Sequence, residues 1–143
     1  MILTCRTCQQ KNRVDAAHLA HAVRCGKCKT ALTPVTQPID ADEATFDEVA
    51  ARAALPVLVD FWAAWCGPCR VAAPEVSRVA SSMAGRAIVL KVDTERHPQI
   101  AVRYRVEGIP NFVVLKNGRV VHQHAGVVSA ADIERWLDAA AAA

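Results

Sequence analysis

Short apolar runs alternate with helix-like stretches along most of the chain, and the pattern changes character near residue 38. Beyond that point "PVLVDFW" (56–62) and "AIVLKVD" (87–93) are almost continuous apolar runs, as strands buried on both faces require. "NFVVLKNGRVVHQHAG" (111–126) reads as two strands turning at Asn117-Gly118, the strongest short hairpin signal. Amphipathic segments lie between. Thr45 followed by Glu48 reads as a capping box, opening a helix with Phe46, Val49, Ala50 and Ala53 inward. Residues 67–83 read as a second helix, with Pro68 in its first turn, Pro74 inside it and Gly85 past its end. Pro98 opens a short helix toward Tyr104. Ser129, with Asp132, caps a last helix whose inward face is Ile133, Trp136, Leu137 and Ala140. Strands interleaved with helices imply an α/β fold, a central mixed sheet flanked by helices with an antiparallel hairpin at one edge.

Residues 1–33 carry no such pattern. The chain of 143 residues therefore reads as a small module (1–33), a linker at 34–38 held extended by Pro34 and Pro38, and an α/β domain (39–143). No apolar run is long enough to cross a bilayer. The start, "MILTCRTCQQ", lacks the basic-then-apolar pattern of a secretion leader. The expectation is a cytoplasmic protein in a reducing compartment, where paired cysteines serve as metal ligands or reactive thiols.

Charge sharpens this division. Residues 1–33 hold six Lys/Arg against Asp15 alone, a balance of +5, whereas residues 34–143 hold eleven against thirteen acids, a balance of −2. A basic front segment suggests nucleic acid. Two observations argue against it. The segment contains no Phe, Trp or Tyr to stack on bases, and a bound tetrathiolate zinc would offset part of its charge.

The six cysteines form three pairs, each spaced by two residues. Cys5 and Cys8, then sixteen residues, then Cys25 and Cys28, match the two knuckles of a four-cysteine zinc site. Four sulfurs leave no open coordination position, so the implied cofactor is one structural zinc, whose binding would help fold a segment too small to fold alone. Two unrelated redox pairs remain the competing reading. His18 and His21 lie between the knuckles and read as surface residues.

The third pair, Cys66 and Cys69, follows a buried strand and opens a helix. Unpaired backbone N–H groups and the helix dipole there favour a thiolate. The spacing permits an intramolecular disulfide, with Cys66 expected exposed and Cys69 shielded. Asp60 is anomalous inside "VLVDFW", where an unpaired charge is costly and burial raises the carboxyl pKa. Lys91 is a similar oddity on the neighbouring expected strand. A buried Asp60–Lys91 ion pair and a proton-handling role for Asp60 at Cys69 both stay open. Ile109-Pro110 is a place where a cis peptide could turn the chain toward the redox pair, while His97, His122 and His124 read as non-catalytic.

Together "VDFWAAWCGPC" (59–69), Pro74, Lys91, "GIP" (108–110), "KNG" (116–118) and Gly126 resemble the thioredoxin family, over about residues 38–143. With two zinc knuckles in front, the chain resembles that family's zinc-containing bacterial branch, the thioredoxin 2 type. The resemblance implies a thioredoxin fold and a protein-disulfide reductase in which Cys66 attacks and Cys69 resolves a mixed disulfide. Asp60, near Lys91, would handle the proton. Trp65, Gly67, Pro68, Ile109, a cis Pro110 and Gly126 would line the groove for disulfide-bonded protein substrates. It further implies regeneration by thioredoxin reductase, which would carry the NADPH and flavin, since this chain has no Gly-rich dinucleotide fingerprint. A monomer is expected. Asn111 departs from the family's usual Thr after the proline, and Ala64 occupies a variable position. A redox-regulated binding protein or chaperone built on the zinc segment is the alternative, and an oxidase or isomerase is the same chemistry reversed. One further expectation is that the zinc segment adjusts the redox site under oxidative stress.

Overall fold

The computed structural model describes residues 1–143. Five strands form the main sheet in the order β3 (Ile39–Asp40), β5 (Ile88–Asp93), β4 (Val57–Trp62), β6 (Asn111–Lys116), β7 (Arg119–Ala125). The first three are mutually parallel, and β6 and β7 run antiparallel. Ahead of them β1 (Ile2–Thr4) and β2 (Lys11–Arg13) pair as a small antiparallel ribbon, followed by a 3₁₀ turn over Ala16–Ala20. Both ribbon strands, the turn and β3 are too short to leave a periodic signature.

The alternation along β4 and β5 decides which helix covers which face. Val57, Val59 and Phe61 join Ile88, Leu90 and Val92 in one cluster with Phe46 and Val49 of α1 (Glu43–Arg52) and Ile100 of α3 (Pro98–Arg103). Leu58 and Val89 face the other way, against Val76 and Val79 of α2 (Gly67–Ser82) and Ile133 and Leu137 of α4 (Ala130–Ala142). Most of these side chains are fully buried, each worth about 1.5–3 kcal/mol over its exposed state. Pro74 lies within α2 without ending it. Trp136 packs against the same cluster while half-buried, its ring 4.2 Å from that of His122 on β7.

Helix α1 corrects the expected cap. It starts at Glu43, and the Asp42 carboxylate, not the Thr45 hydroxyl, caps it by accepting the Thr45 backbone N–H at 2.8 Å. An Asp in extended backbone just before the helix reaches that N–H equally well. Glu48 is thereby free for another partner. Its carboxylate accepts the Ala16 N–H at 2.9 Å and the Met1 α-ammonium at 2.6 Å. Arg52 grips Asp15 with two bonds of 2.8 and 2.7 Å. Met1, Val14, Ala16 and Leu19 enter the same cluster as Phe46 and Val49, so the N-terminal segment shares a core with the α1 face of the sheet.

At the β6–β7 turn Asn117 and Gly118 take φ of 53° and 76°, as a two-residue hairpin loop of primed type requires. Gly118 also packs closely: a Cβ there would lie 3.2 Å from the Ala50 carbonyl oxygen.

Candidate functional site

Two cysteine sites emerge, built by different physical means. At the first, α2 begins where β4 ends, and Cys66 is its N-cap. Cys66 and Cys69 form a disulfide with Cα atoms 5.3 Å apart. The Cys69 backbone N–H donates to Cys66 Sγ at 3.2 Å, an orphan donor of the first helical turn. Such donors stabilise negative charge on that sulfur once the disulfide opens.

The expected contrast in exposure is absent. Cys66 is 3% and Cys69 5% exposed. Cys66 Sγ lies 3.7 Å from the Ile109 carbonyl oxygen, and Ile109 packs against the small cluster that the two cysteines form with Ala63. The Ile109–Pro110 peptide is cis. Gly126, with φ of 105°, donates its N–H to the Pro110 carbonyl at 2.9 Å, in a conformation that glycine adopts without a Cβ penalty. Trp65, Gly67 and Pro68 form the exposed rim beside the disulfide, while Pro110 is buried. All six expected groove residues therefore border one site or the loop that frames it.

On β4, the strand that leads into the disulfide, Asp60 is 2% exposed and its Oδ1 has no hydrogen-bond partner. Burial pushes its carboxyl up to about 7, with Lys91 pulling the other way. Asp60 and Lys91 are cross-strand neighbours in register, yet the expected ion pair is not formed through Oδ1. The Lys91 ammonium instead sits 4.8 Å from the centroid of the Trp62 ring, a cation–π arrangement. A cavity of about 300 Å³ lined by Trp62, Ala63, Ala64, Cys69, Arg70 and Lys91 opens beside the inner cysteine. It has room for water next to Cys69.

Glu95, Arg70 and Gln123 also reach this site and left no sequence signal. Trp65 Nε1 donates to Glu95 Oε1 at 2.8 Å, and Arg70 reaches back to the Ala64 carbonyl at 2.8 Å. Asn111, buried after the cis proline, accepts from Gln123 Nε2 at 3.1 Å and donates to the Gly108 carbonyl at 3.3 Å. These bonds join the hairpin to the 108–110 loop, so the departure from Thr has a structural consequence.

At the second site Cys5, Cys8, Cys25 and Cys28 bring their four Sγ atoms within 4.8 Å of one another. Cys5 and Cys28 sulfurs are 3.5 Å apart, those of Cys8 and Cys25 3.6 Å. A tetrahedral ion with Zn–S bonds of about 2.3 Å needs sulfurs roughly 3.8 Å apart, so the donor set suits a divalent metal. Donors surround the sulfurs as well. Lys27 N–H and Asn12 Nδ2 point at Cys25 Sγ (3.4 and 3.6 Å), while the Cys28 thiol donates to Thr30 Oγ1 at 3.1 Å. The Cys28 backbone N–H chiefly, then that of Lys27 and the Asn12 amide, pull the Cys25 thiol down to about 6 against the effect of burial. Gln9 and Lys29, each one residue after a knuckle, take positive φ of 63° and 66° and close its turn. His18 and His21 stand outside the cluster.

The family model for thioredoxin matches residues 37–139. Thioredoxin C-3 of Corynebacterium nephridii is 36% identical over 138 residues, covering 96% of this chain and 94% of that protein. That match extends beyond residues 37–139 into the N-terminal segment. Thioredoxin 1 of a Nostoc species is 38% identical over 67% of this chain and 90% of its own length. Among solved structures, chloroplastic thioredoxin z and a mutant thioredoxin from Halobacterium salinarum both superpose with a TM-score of 0.69 at 27% identity. Each covers 75% of this chain; the shares of those chains covered are 96% and 93%.

Proposed function

The chain belongs to the thioredoxin family, whose members are thiol–disulfide oxidoreductases, and on that premise we propose that it reduces disulfides in proteins of the cytoplasm. One observation carries the reading: the Cys66–Cys69 disulfide caps a helix, beside a cis-proline loop, after a strand that carries a buried carboxyl.

In the reduced protein the Cys66 thiolate attacks one sulfur of a substrate disulfide. A Cys66–substrate bond forms and one substrate thiolate leaves, later taking a proton from solvent. Asp60, acting through solvent, accepts the Cys69 proton. The Cys69 thiolate then attacks Cys66 Sγ and expels the second substrate thiolate. Two electrons have moved to the substrate, and Cys66–Cys69 is again a disulfide. Lys91 tempers the cost of charging Asp60. Trp65, Gly67, Pro68, Ile109, Pro110 and Gly126 hold the substrate chain, with Asn111 setting the position of the loop.

Regeneration falls to an NADPH-dependent flavoprotein, thioredoxin reductase, which returns two electrons to the disulfide. The protein works as a monomer of the zinc-containing type 2, with residues 1–33 as the metal segment, 34–38 as the linker and 39–143 as the redox domain. Cys5, Cys8, Cys25 and Cys28 hold the zinc, which with four thiolates stabilises the fold rather than taking part in turnover.

The test is NADPH consumption with thioredoxin reductase, this protein and insulin. Wild type should support turnover and Cys66→Ser should abolish it; no turnover by folded wild type would reject the reading.

A further inference from the structure

Three charged residues stand in one row across the sheet. In the parallel registers Asp60 of β4 lies opposite Lys91 of β5, and Lys91 lies opposite Asp40 of β3. Paired residues on neighbouring strands point to the same face. Leu58 and Val89, two residues before Asp60 and Lys91, pack under α2 and α4, so that is the face shared. Ile39, next to Asp40, packs on the opposite cluster, which turns Asp40 toward Lys91. The row runs outward: Asp60 is buried, Lys91 half-buried and Asp40 exposed.

Cavities follow the same row. Lys91 lines the cavity beside Cys69 and, together with Asp40, two wider clefts of about 560 and 530 Å³. The first wide cleft adds Asp42, Asp93, Arg96 and His97; the second adds the neutral Ser77 and Ser81 of α2. Arg70 is the further charged group, beside Cys69. Lys91, which lines the cavity beside Cys69, is thus the cation in register with both a buried carboxyl, Asp60, and an exposed one, Asp40.

We propose that Asp40 is a positioning residue for the redox reaction: it competes with Asp60 for the Lys91 ammonium and so sets how readily Asp60 exchanges a proton with Cys69. The inference rests on the proposed role of Asp60 as the Cys69 proton acceptor. Direct repulsion and competition for Lys91 act in the same sense, since each makes an ionised Asp60 less favourable. Neutralising Asp40 therefore lowers the pH at which Asp60 titrates. Thr36, Gln37 and Pro38 line the same cleft as Lys91 and Asp40, so the stretch leading out of the four-cysteine segment borders this row.

The magnitude follows from Coulomb's law. Two strand spacings separate Asp40 from Asp60 by roughly 10 Å, and at an effective dielectric of about 40 to 80 one charge there shifts a carboxyl by about half a pH unit. The experiment follows the Asp60 carboxyl carbon by NMR in oxidised, aspartate-labelled protein at low salt, in wild type, Asp40→Asn and Asp40→Lys. Direct observation reads the Asp60 carboxyl apart from the other charged groups that line these clefts. The Asp60 midpoint should fall by about half a unit in Asp40→Asn and about twice that in Asp40→Lys, with both shifts shrinking as salt screens them. Coincident midpoints in the three proteins overturn the inference. The pH–rate profile of insulin reduction should move with the midpoint. If the midpoint moves and the profile does not, Asp40 still governs Asp60 electrostatically, but the proton role of Asp60, and Asp40's part in the reaction with it, are overturned.

Discussion

The Glu48 carboxylate on α1 accepts the backbone N–H of Ala16 at 2.9 Å, joining the redox domain's first helix to the cysteine-bearing segment. Burial opposes charge on Glu48, yet the Met1 ammonium and the Ala16 N–H hold its carboxyl below the usual range. A carboxyl lowered in the folded state stabilises above its unfolded pKa, and loses that contribution as pH falls through the folded one. Glu48→Ala should cost about 1.5–3 kcal/mol at pH 7, the range for hydrogen bonds to charged groups. Thermal unfolding checks it: the gap to wild type should narrow as the pH falls below the ordinary glutamate range, because the folded-state carboxyl is held lower still. A constant gap across pH would show that the charge plays no part.

Metal removal should reach further than the cysteines. Met1, Val14, Ala16 and Leu19 share a cluster with Phe46 and Val49, so unfolding the cysteine-bearing segment strips apolar cover from α1. Protein purified under reducing conditions should hold one zinc per chain. Cys5→Ser or exhaustive chelation should lower the midpoint of the whole thermal transition, by about 2–4 °C for each kcal/mol lost. An unchanged midpoint in metal-free protein would separate the two units energetically.

Asp60→Asn should stabilise the protein at alkaline pH and slow its chemistry. The Asp60 carboxyl titrates near 7 in the fold and near 3.9 in the unfolded chain, so ionisation favours unfolding. Stability from this group therefore falls as pH rises from about 4 to about 7, by up to about 4 kcal/mol, and stays low above that. The amide carries no such penalty. Denaturant titrations at pH 4 and pH 8 should show variant and wild type converging at the lower value and diverging at the higher. Resolution of a trapped Cys66 mixed disulfide should be slower in the variant, with its pH dependence near 7 removed; an unaltered profile would leave Asp60 only a structural role.

Asn111 should matter to stability and to substrate binding together. Asn111→Ala leaves the Gly108 carbonyl and the Gln123 amide without their partner, a loss of about 1–3 kcal/mol. Because these bonds hold the loop that carries Ile109 and Pro110, KM for insulin should rise more than kcat falls. A kcat effect alone would place Asn111 outside substrate docking.

The legible parts of this protein were those set by local chemistry. The apolar runs of β4 and β5, the Asn117-Gly118 turn and the Ser129 cap each follow from short-range preferences, and each stands where the sequence places it. The cysteine spacings foretold both a four-sulfur cluster and a bridgeable pair, because two intervening residues bring the sulfurs of one pair close; that the first two pairs meet depends on the fold of the segment between them. The carboxyl in an apolar run announced its own burial. Tertiary packing decided the rest. Cys66 is covered because Ile109, 43 residues away, folds over it. Lys91 faces Trp62 because sheet register sets which side chains meet. Glu48 turns from its own helix start to Ala16 because Asp42 already occupies the cap and a second element lies within reach. Asp40 joins the row through Lys91 only because a two-residue strand pairs with β5. Local propensity fixes what a residue prefers to do within a few neighbours along the chain. Which distant group shields it, charges it or bonds to it depends on the packed sheet.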